Sequence, residues 1–181
     1  MSVKIAFHTD FFDVRGTCVS LYDYAHYNET ILNNKSIILI PRKGLEDGNK
    51  SDELAIQKFY KRFSINIFPY EDVEHMELIL KSEKCDILYT IKYGKNDGLI
   101  SKVAKTVVHC VFDMSEPHGD VYAGVSEQIA KKFGQTNFVP HMIPEPSKTT
   151  ENIPPRATET YAPYTFHTSL RISDCRKSSP L

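Results

Sequence analysis

The sequence predicts an α/β fold, a three-layer, Rossmann-like domain with a mostly parallel sheet and helices on both faces. Apolar, strand-like runs alternate with helical patterns along residues 3–139, which is typical of parallel sheets with crossover helices. Some of these runs are continuously apolar, as in strands that are covered on both faces. With 181 residues, 41% of them hydrophobic, the chain can bury one sizeable core. We expect this domain to span residues 1–143.

The first half of the pattern contains four strands and three helices. The first helix begins after Thr17, and Cys18, Leu21 and Ala25 follow at helical spacing. The run SIILI is continuously apolar and predicts a strand inside the sheet. A capping signal, Ser-Asp-Glu, precedes the second helix. The predicted strands cover residues 3–7, 36–40, 65–68 and 85–90, and the predicted helices cover residues 18–32, 54–63 and 73–80.

The second half continues the alternation. Residues 97–103 predict a short helix, and Ser126 is the expected cap of a helix that runs to residue 133. The predicted strands cover residues 106–112, 121–125 and 137–139.

The last 38 residues, 144–181, break this rhythm. They hold six of the ten prolines, eleven Ser or Thr residues and no glycine, so they neither sustain a helix nor fill a core. We expect a disordered tail. A linker or recognition tail is the functional alternative for such a composition.

Composition excludes several classes of protein. A formal net charge of -1 gives no electrostatic footprint for nucleic acid. The apolar run at the start is too short for a signal peptide, and no segment approaches the roughly 18 apolar residues of a membrane span, so we expect a cytoplasmic protein without a transmembrane segment. The four cysteines lack CxxC or finger-like spacing, which predicts no metal site and buried free thiols at Cys18, Cys85 and Cys110.

The loop after the first strand is the first candidate site. A strand that opens into a helix leaves the first backbone N–H groups of that helix unpaired, at the sheet edge where ligands bind. The GxGxxG and GxxxxGK[ST] fingerprints are absent, so we expect no nicotinamide or other cofactor of that kind. Arg15 offers a planar fork for a phosphate or carboxylate; in the alternative interpretation it is solvated and Gly16 only makes the turn. The candidate substrate-binding residues here are His8, Thr9, Asp10, Arg15, Gly16 and Thr17.

The loop before the strand at 121–125 is the second candidate site. It contains Asp113, Glu116 and His118, which can orient hydroxyl groups or act as a base, and we take Glu116 and His118 as the catalytic candidates. The alternative is that Pro, Gly and Asp in this loop are turn formers only. His109, inside the preceding strand, is interpreted as a core histidine. Tyr22, nearest the first turn of the first helix, is a candidate to stack on a sugar or base, although such tyrosines more often pack against the sheet.

Three segments resemble the N-terminal half of GT-B-type glycosyltransferases: HTDFFDVRGTCVSLYDYAHYNE, VVHCVFDMSEPHGDVYAGVSEQIAKKFG and NFVPHM. The resemblance covers about residues 3–142. It implies an acceptor-side domain that works with a second, donor-binding domain in transferring a sugar from a nucleotide-sugar to a hydroxyl acceptor, without a required metal. No such second domain follows residue 142, so we expect a truncated or split enzyme that is inactive alone.

One expectation follows for the structure, and one rival function stays open. His8, Arg15, Thr17, Glu116 and His118 should group around an open concavity at the carboxyl edge of the sheet. The rival function, a non-catalytic flavodoxin-like or response-regulator-like binding module, requires an aspartate at a strand end with a partner lysine. The oligomeric state is left open by the sequence.

Overall fold

The computed structural model describes residues 2–142, which belong to one compact unit, Met1–Glu145. Its centre is a six-stranded, all-parallel sheet of order β3-β2-β1-β4-β5-β6, which confirms the α/β, Rossmann-like prediction. The strands are β1 (Lys4–His8), β2 (Lys35–Pro41), β3 (Ile67–Tyr70), β4 (Ile87–Lys92), β5 (Lys105–Cys110) and β6 (Val121–Gly124). The helices are α1 (Gly16–Thr30), α2 (Arg42–Glu46), α3 (Glu53–Phe63), α4 (Val73–Ser82) and α5 (Glu127–Lys132), with a 3-10 turn at Ser64–Asn66.

One face of the sheet is covered by α1 and α3. Phe7 of β1 packs there with Leu21 of α1 and with Phe59 of α3. The phenyl rings of Phe12 and Phe59 stack with their centroids 4.3 Å apart, which fixes the loop after β1 against α3. This loop is therefore anchored by aromatic packing on the α3 side.

The opposite face is covered by α4 and α5. Ala6 and Leu39 meet Met76 and Leu80 of α4, and Cys110 of β5 packs with Ala130 of α5. Successive residues of β1, Ile5, Ala6 and Phe7, thus alternate between two buried faces. This arrangement explains why the central strands are apolar throughout.

Most predicted elements are confirmed, with shifts of one or two residues at their ends. Asp52 caps α3 by accepting hydrogen bonds from Leu54 N and Ala55 N, and Ser126 caps α5. Cys18, Cys85 and Cys110 are buried free thiols, as predicted. The short helix α2 was not predicted.

Two predicted elements are wrong. Residues 97–103 form no helix, because side chains satisfy the local backbone in turns: Asn96 Oδ1 accepts from Gly98 N, and Asp97 Oδ1 accepts from Leu99 N. Gly98 also has a φ of 79°, which a helix does not tolerate. In place of the strand at 137–139 there is an isolated parallel bridge between Gly124 and Phe138. The predicted tail, 144–181, lies outside the described residues.

Candidate functional site at the carboxyl edge of the sheet

The strand order reverses between β1 and β4. Both neighbours of β1, β2 and β4, run parallel to it, and the chain leaves β1 on one face and returns to β4 by the other. In open α/β sheets, ligands bind in the crevice outside the carboxyl ends of the strands at such a point. His8 is the last residue of β1, and Lys92 is the last residue of β4.

His8 is bonded to a tyrosine from a third strand. Its Nε2 lies 2.7 Å from the hydroxyl of Tyr70, the last residue of β3. Both side chains are buried. Burial lowers the pKa of His8 to about 4 and raises the pKa of Tyr70 above its usual value, so both groups are neutral at pH 7. The His8–Tyr70 pair is thus an uncharged, buried group at the carboxyl edge of the sheet.

Lys92 is paired with an aspartate from the following loop. Its Nζ lies 2.6 Å from Asp97 Oδ1, and its side chain is only 11% exposed, whereas that of Asp97 is 51% exposed. Burial of the Asp97 carboxyl acts to raise its pKa, but the Lys92 ammonium and the Leu99 N–H outweigh this and hold that pKa below its usual value. Lys92 therefore fixes an exposed carboxylate at the end of β4.

Asp10 completes this group of side chains. It is exposed two residues after β1, and its charge acts on both His8 and Tyr70, as does the charge of Asp97. We call these residues the switch-point cluster: His8, Asp10, Tyr70, Lys92 and Asp97.

The other predicted residues of the first loop serve mainly in its turn. Thr9 Oγ1 donates to Phe11 O at 2.8 Å. The Arg15 side chain is 82% exposed, and its Nε lies 3.5 Å from Asp13 Oδ2. The buried carboxyl of Asp13 also accepts a hydrogen bond from the Arg15 backbone N–H, which shapes the entry into α1.

The start of α1 is open to a ligand. In the part of the chain that the structure describes, no side chain caps this helix and no acidic residue lies in its first turn. A Cβ built on Gly16 would meet nothing within 4 Å, and Thr17 is half-buried. The first N–H groups of a 15-residue helix therefore remain available as hydrogen-bond donors.

The second predicted loop has different neighbours. Glu116 Oε2 accepts from Asn96 N at 3.0 Å, so Glu116 joins the loop after β4. The loop then returns to the amino end of the sheet, where Asp120 N donates to Thr106 O. It makes the crossover from β5 to β6 without a helix.

His118 lies within that crossover and is buried. Its Nδ1 lies 2.6 Å from Glu116 O, and its ring packs against Tyr122 with centroids 5.2 Å apart. Its Nε2 is buried without a hydrogen-bond partner among the described residues. The two predicted histidines therefore have different neighbours: His118 contacts Tyr122, and His8 contacts Tyr70. Asp113, three residues beyond the end of β5, accepts hydrogen bonds on its Oδ1 from the backbone N–H and hydroxyl of Ser115.

Tyr22 packs between α1 and α3. Its ring meets Phe59 and Phe63 edge-on, with centroids 5.2 and 5.5 Å away, and Lys58 Nζ lies 4.0 Å from its centroid. These contacts give Tyr22 a packing role. His109 is buried in β5, as predicted, between the Tyr89 hydroxyl and Val139 O.

Sequence reasoning missed Tyr70, Lys92 and Asp97. The predicted strands at 65–68 and 85–90 each ended two residues too early, so the strand-end positions of Tyr70 and Lys92 were not recognised. The predicted helix at 97–103 placed Asp97 on a helix rather than in a loop at the edge. The available signal was the alternation of residues along each strand, which would have placed the strand ends at Tyr70 and Lys92.

Residues 2–142 hold no group of three His, Cys, Asp or Glu side chains arranged to bind a metal ion. None of the helices in this range is long and apolar enough to cross a bilayer. No protein-family model, curated protein or solved structure matches the chain.

Proposed function

We propose that this chain is the acceptor-side half of a glycosyltransferase, which transfers a sugar from a nucleotide-sugar to a hydroxyl group and needs a second, donor-binding domain to do so. The observation that carries the proposal is the switch-point cluster, since it gathers exposed hydrogen-bond acceptors at the ligand-binding edge of a parallel sheet. The resemblance of residues 3–142 to GT-B N-terminal domains supports the same conclusion.

The exposed carboxylates are suited to an acceptor hydroxyl. Asp10 and Asp97 flank the ends of β1 and β4 and can accept hydrogen bonds from the acceptor hydroxyl. Lys92 holds Asp97 in place. The His8–Tyr70 pair beneath them is uncharged and buried, which strengthens the electrostatic effect of the carboxylates above it. In this proposal the two aspartates bind the acceptor hydroxyl, and the buried His8–Tyr70 pair holds the strand ends in position.

Transfer to a hydroxyl requires a group that removes its proton. We assign this role to Asp10, with Glu116 as the second candidate because it is exposed beside the loop after β4. The enclosed His118 is assigned to the support of the crossover. The open start of α1, with the N–H groups of Gly16 and Thr17, faces the part of the ligand that carries negative charge.

The rival binding module is disfavoured by the strand order. Flavodoxin-like and response-regulator folds have the order 2-1-3-4-5, whereas this sheet has the order 3-2-1-4-5-6, the order of doubly wound nucleotide-binding folds. The Lys92–Asp97 pair beyond β4 supplies an aspartate with a partner lysine, as the rival requires, so the strand order is the observation that separates the two functions.

The test is a transfer assay with labelled UDP- and GDP-sugars and a panel of hydroxyl acceptors. The purified chain alone should hydrolyse or transfer little, and the product of the adjacent reading frame should restore transfer if it encodes the donor-binding domain. In that mixture Asp10→Asn should lower the rate about 100-fold or more, as expected for a lost general base. The matched control, Asp47→Asn, removes a carboxylate beyond α2 and should leave the rate unchanged. Robust turnover by the chain alone would overturn the half-enzyme proposal, and an unaffected Asp10→Asn mixture would remove Asp10 from it.

A further inference from the structure

Two aromatic rings stand exposed side by side beyond the ends of β4 and β5. Tyr93 follows Lys92 directly and is 59% exposed, and Phe112 follows β5 and is 60% exposed. Their ring centroids lie 5.6 Å apart with an angle of 40° between the planes, so together they form a shallow V. We call this pair the aromatic platform.

The backbone beneath the aromatic platform is held by several contacts. Tyr93 O accepts from both Phe112 N and Asp113 N, each at 3.1 Å. The Tyr122 hydroxyl donates to Gly94 O at 2.7 Å and lies 3.3 Å from Asp113 O. A Cβ on Gly94 would lie 1.7 Å from Asp113 O, so only glycine allows the two segments to come this close. The backbone segments that carry the two rings are therefore held against each other, which lowers the entropic cost of binding a ligand.

Polar residues follow each ring of the aromatic platform along the chain. Ser115 and Glu116 are exposed on the segment after Phe112, and Asn96 is exposed on the segment after Tyr93. Within residues 2–142, the hydrogen bonds that the Asp113 and Glu116 carboxylates accept go to Oδ1 of Asp113 and to Oε2 of Glu116. Each carboxylate has another oxygen, which can accept a bond from a ligand hydroxyl.

Two angled aromatic rings with hydrogen-bond acceptors beside them match the surface of a pyranose ring. One face of such a sugar presents C–H groups, and its edge presents hydroxyl donors. Asp113 and Glu116 bring negative charge to this rim, and the positive charges of Lys95 and Lys132 act on Asp113 as well, so the rim carries both signs of charge and suits a neutral ligand. A protein partner fits less well, since two rings fall far short of the roughly 800 Å² that each partner of a stable complex buries, and Asp and Glu are depleted at interface cores.

We propose that the Tyr93–Phe112 platform is a carbohydrate subsite that binds the apolar face of a neutral pyranose, with Asp113 and Glu116 accepting hydrogen bonds from its hydroxyls. Its assignment as the place of the acceptor sugar, next to Lys92, rests on the proposed function. The binding itself does not, because it needs neither a donor nor a second domain.

The experiment is a titration of the full ¹⁵N-labelled chain with the methyl glycosides of glucose, galactose, mannose, xylose and N-acetylglucosamine, followed by amide chemical shifts. At least one glycoside should shift the amides of the segments around Tyr93 and Phe112, with a Kd of about 1 mM or weaker, as expected for one sugar ring. Tyr93→Ala and Phe112→Ala should each weaken this binding about tenfold, the equivalent of roughly 1.4 kcal/mol. Tyr93→Phe, which keeps the ring, should retain it.

The matched control is Tyr60→Ala, which removes a 39% exposed tyrosine from α3 and should leave the titration unchanged. The proposal is overturned if no glycoside shifts these amides in the folded chain, or if the shifts survive both alanine variants. It is also overturned if the same amides broaden with protein concentration in the absence of sugar, because the aromatic platform is then a protein contact. None of these results bears on the transfer assay, so the two proposals fail independently.

Discussion

At the scale of single residues, the edge of the sheet depends on buried polar groups that satisfy one another. His8 and Tyr70 come from β1 and β3, on either side of β2, and their hydrogen bond is formed away from water. A buried polar atom that loses its partner keeps the full cost of desolvation. The pair therefore contributes to the stability of the fold as well as to the position of the edge.

Tyr70→Phe tests this contribution. The variant leaves His8 Nε2 buried without its partner and should lower the free energy of unfolding by about 1–3 kcal/mol, measured by urea denaturation. Tyr60→Phe, which removes a hydroxyl from a more exposed ring, should change it by less than about 0.5 kcal/mol. Equal losses in the two variants would contradict the structural role of the His8–Tyr70 bond.

At the scale of elements, loops rather than helices connect β4 to β5 and β5 to β6. These two loops touch where Gly94 meets the backbone of Asp113, and Tyr122 bonds to both. Gly94 has a φ of 127°, and Gly98, four residues later, has a φ of 79°. The two glycines differ in their surroundings, because a Cβ on Gly98 would meet nothing within 4 Å.

Gly94→Ala and Gly98→Ala form a matched pair. Both introduce a side chain at positive φ, which costs roughly 1–2 kcal/mol, and Gly98→Ala should lose about this amount. Gly94→Ala also drives the Cβ into Asp113 O, so it should lose on the order of 3 kcal/mol or more, or fail to fold. Thermal denaturation compares the two. Similar stabilities would show that the two loops are not held together at this point.

The same loops explain how far the sequence could predict the site. The apolar runs identified the sheet because buried parallel strands have few polar positions, and the Asp52 and Ser126 caps had clear signatures. The helix predicted at 97–103 is wrong, since the Asn96 and Asp97 side chains bond to the backbone in turns. The grouping of Tyr70 with His8 was not predictable, because a contact between strands separated by β2 depends on tertiary packing.

At the scale of the whole molecule, two buried histidines link stability to pH. His8 and His109 lie on opposite faces of the sheet, and burial lowers the pKa of each from 6.5 to about 4. Both are neutral in the folded chain, whereas the unfolded chain binds protons at these sites below about pH 6.5. The contribution of these two neutral histidines to the free energy of unfolding should therefore be fully present above about pH 6.5 and fall as the pH drops towards 4.

Urea denaturation at about pH 7 and about pH 5 measures this loss, which reaches at most about 3 kcal/mol for each histidine near pH 4. His109→Gln should flatten the pH dependence, because it removes one of the groups whose pKa burial lowers. His75→Gln, which replaces a half-buried histidine of α4, is the matched control for the loss of an imidazole. Constant stability between the two pH values would show that neither imidazole is held neutral by the fold.

The position of β1 has a consequence for biosynthesis. β1 leaves the ribosome before the other five strands of this sheet, yet one of its two partners, β4, is made only after β2, β3 and their helices. Until then one edge of β1 presents unpaired backbone N–H and C=O groups, and such an edge is a template for pairing with other chains. Domains are built during synthesis from the N-terminal end. Any pause before the codons of β4 therefore exposes the centre of the future sheet to aggregation.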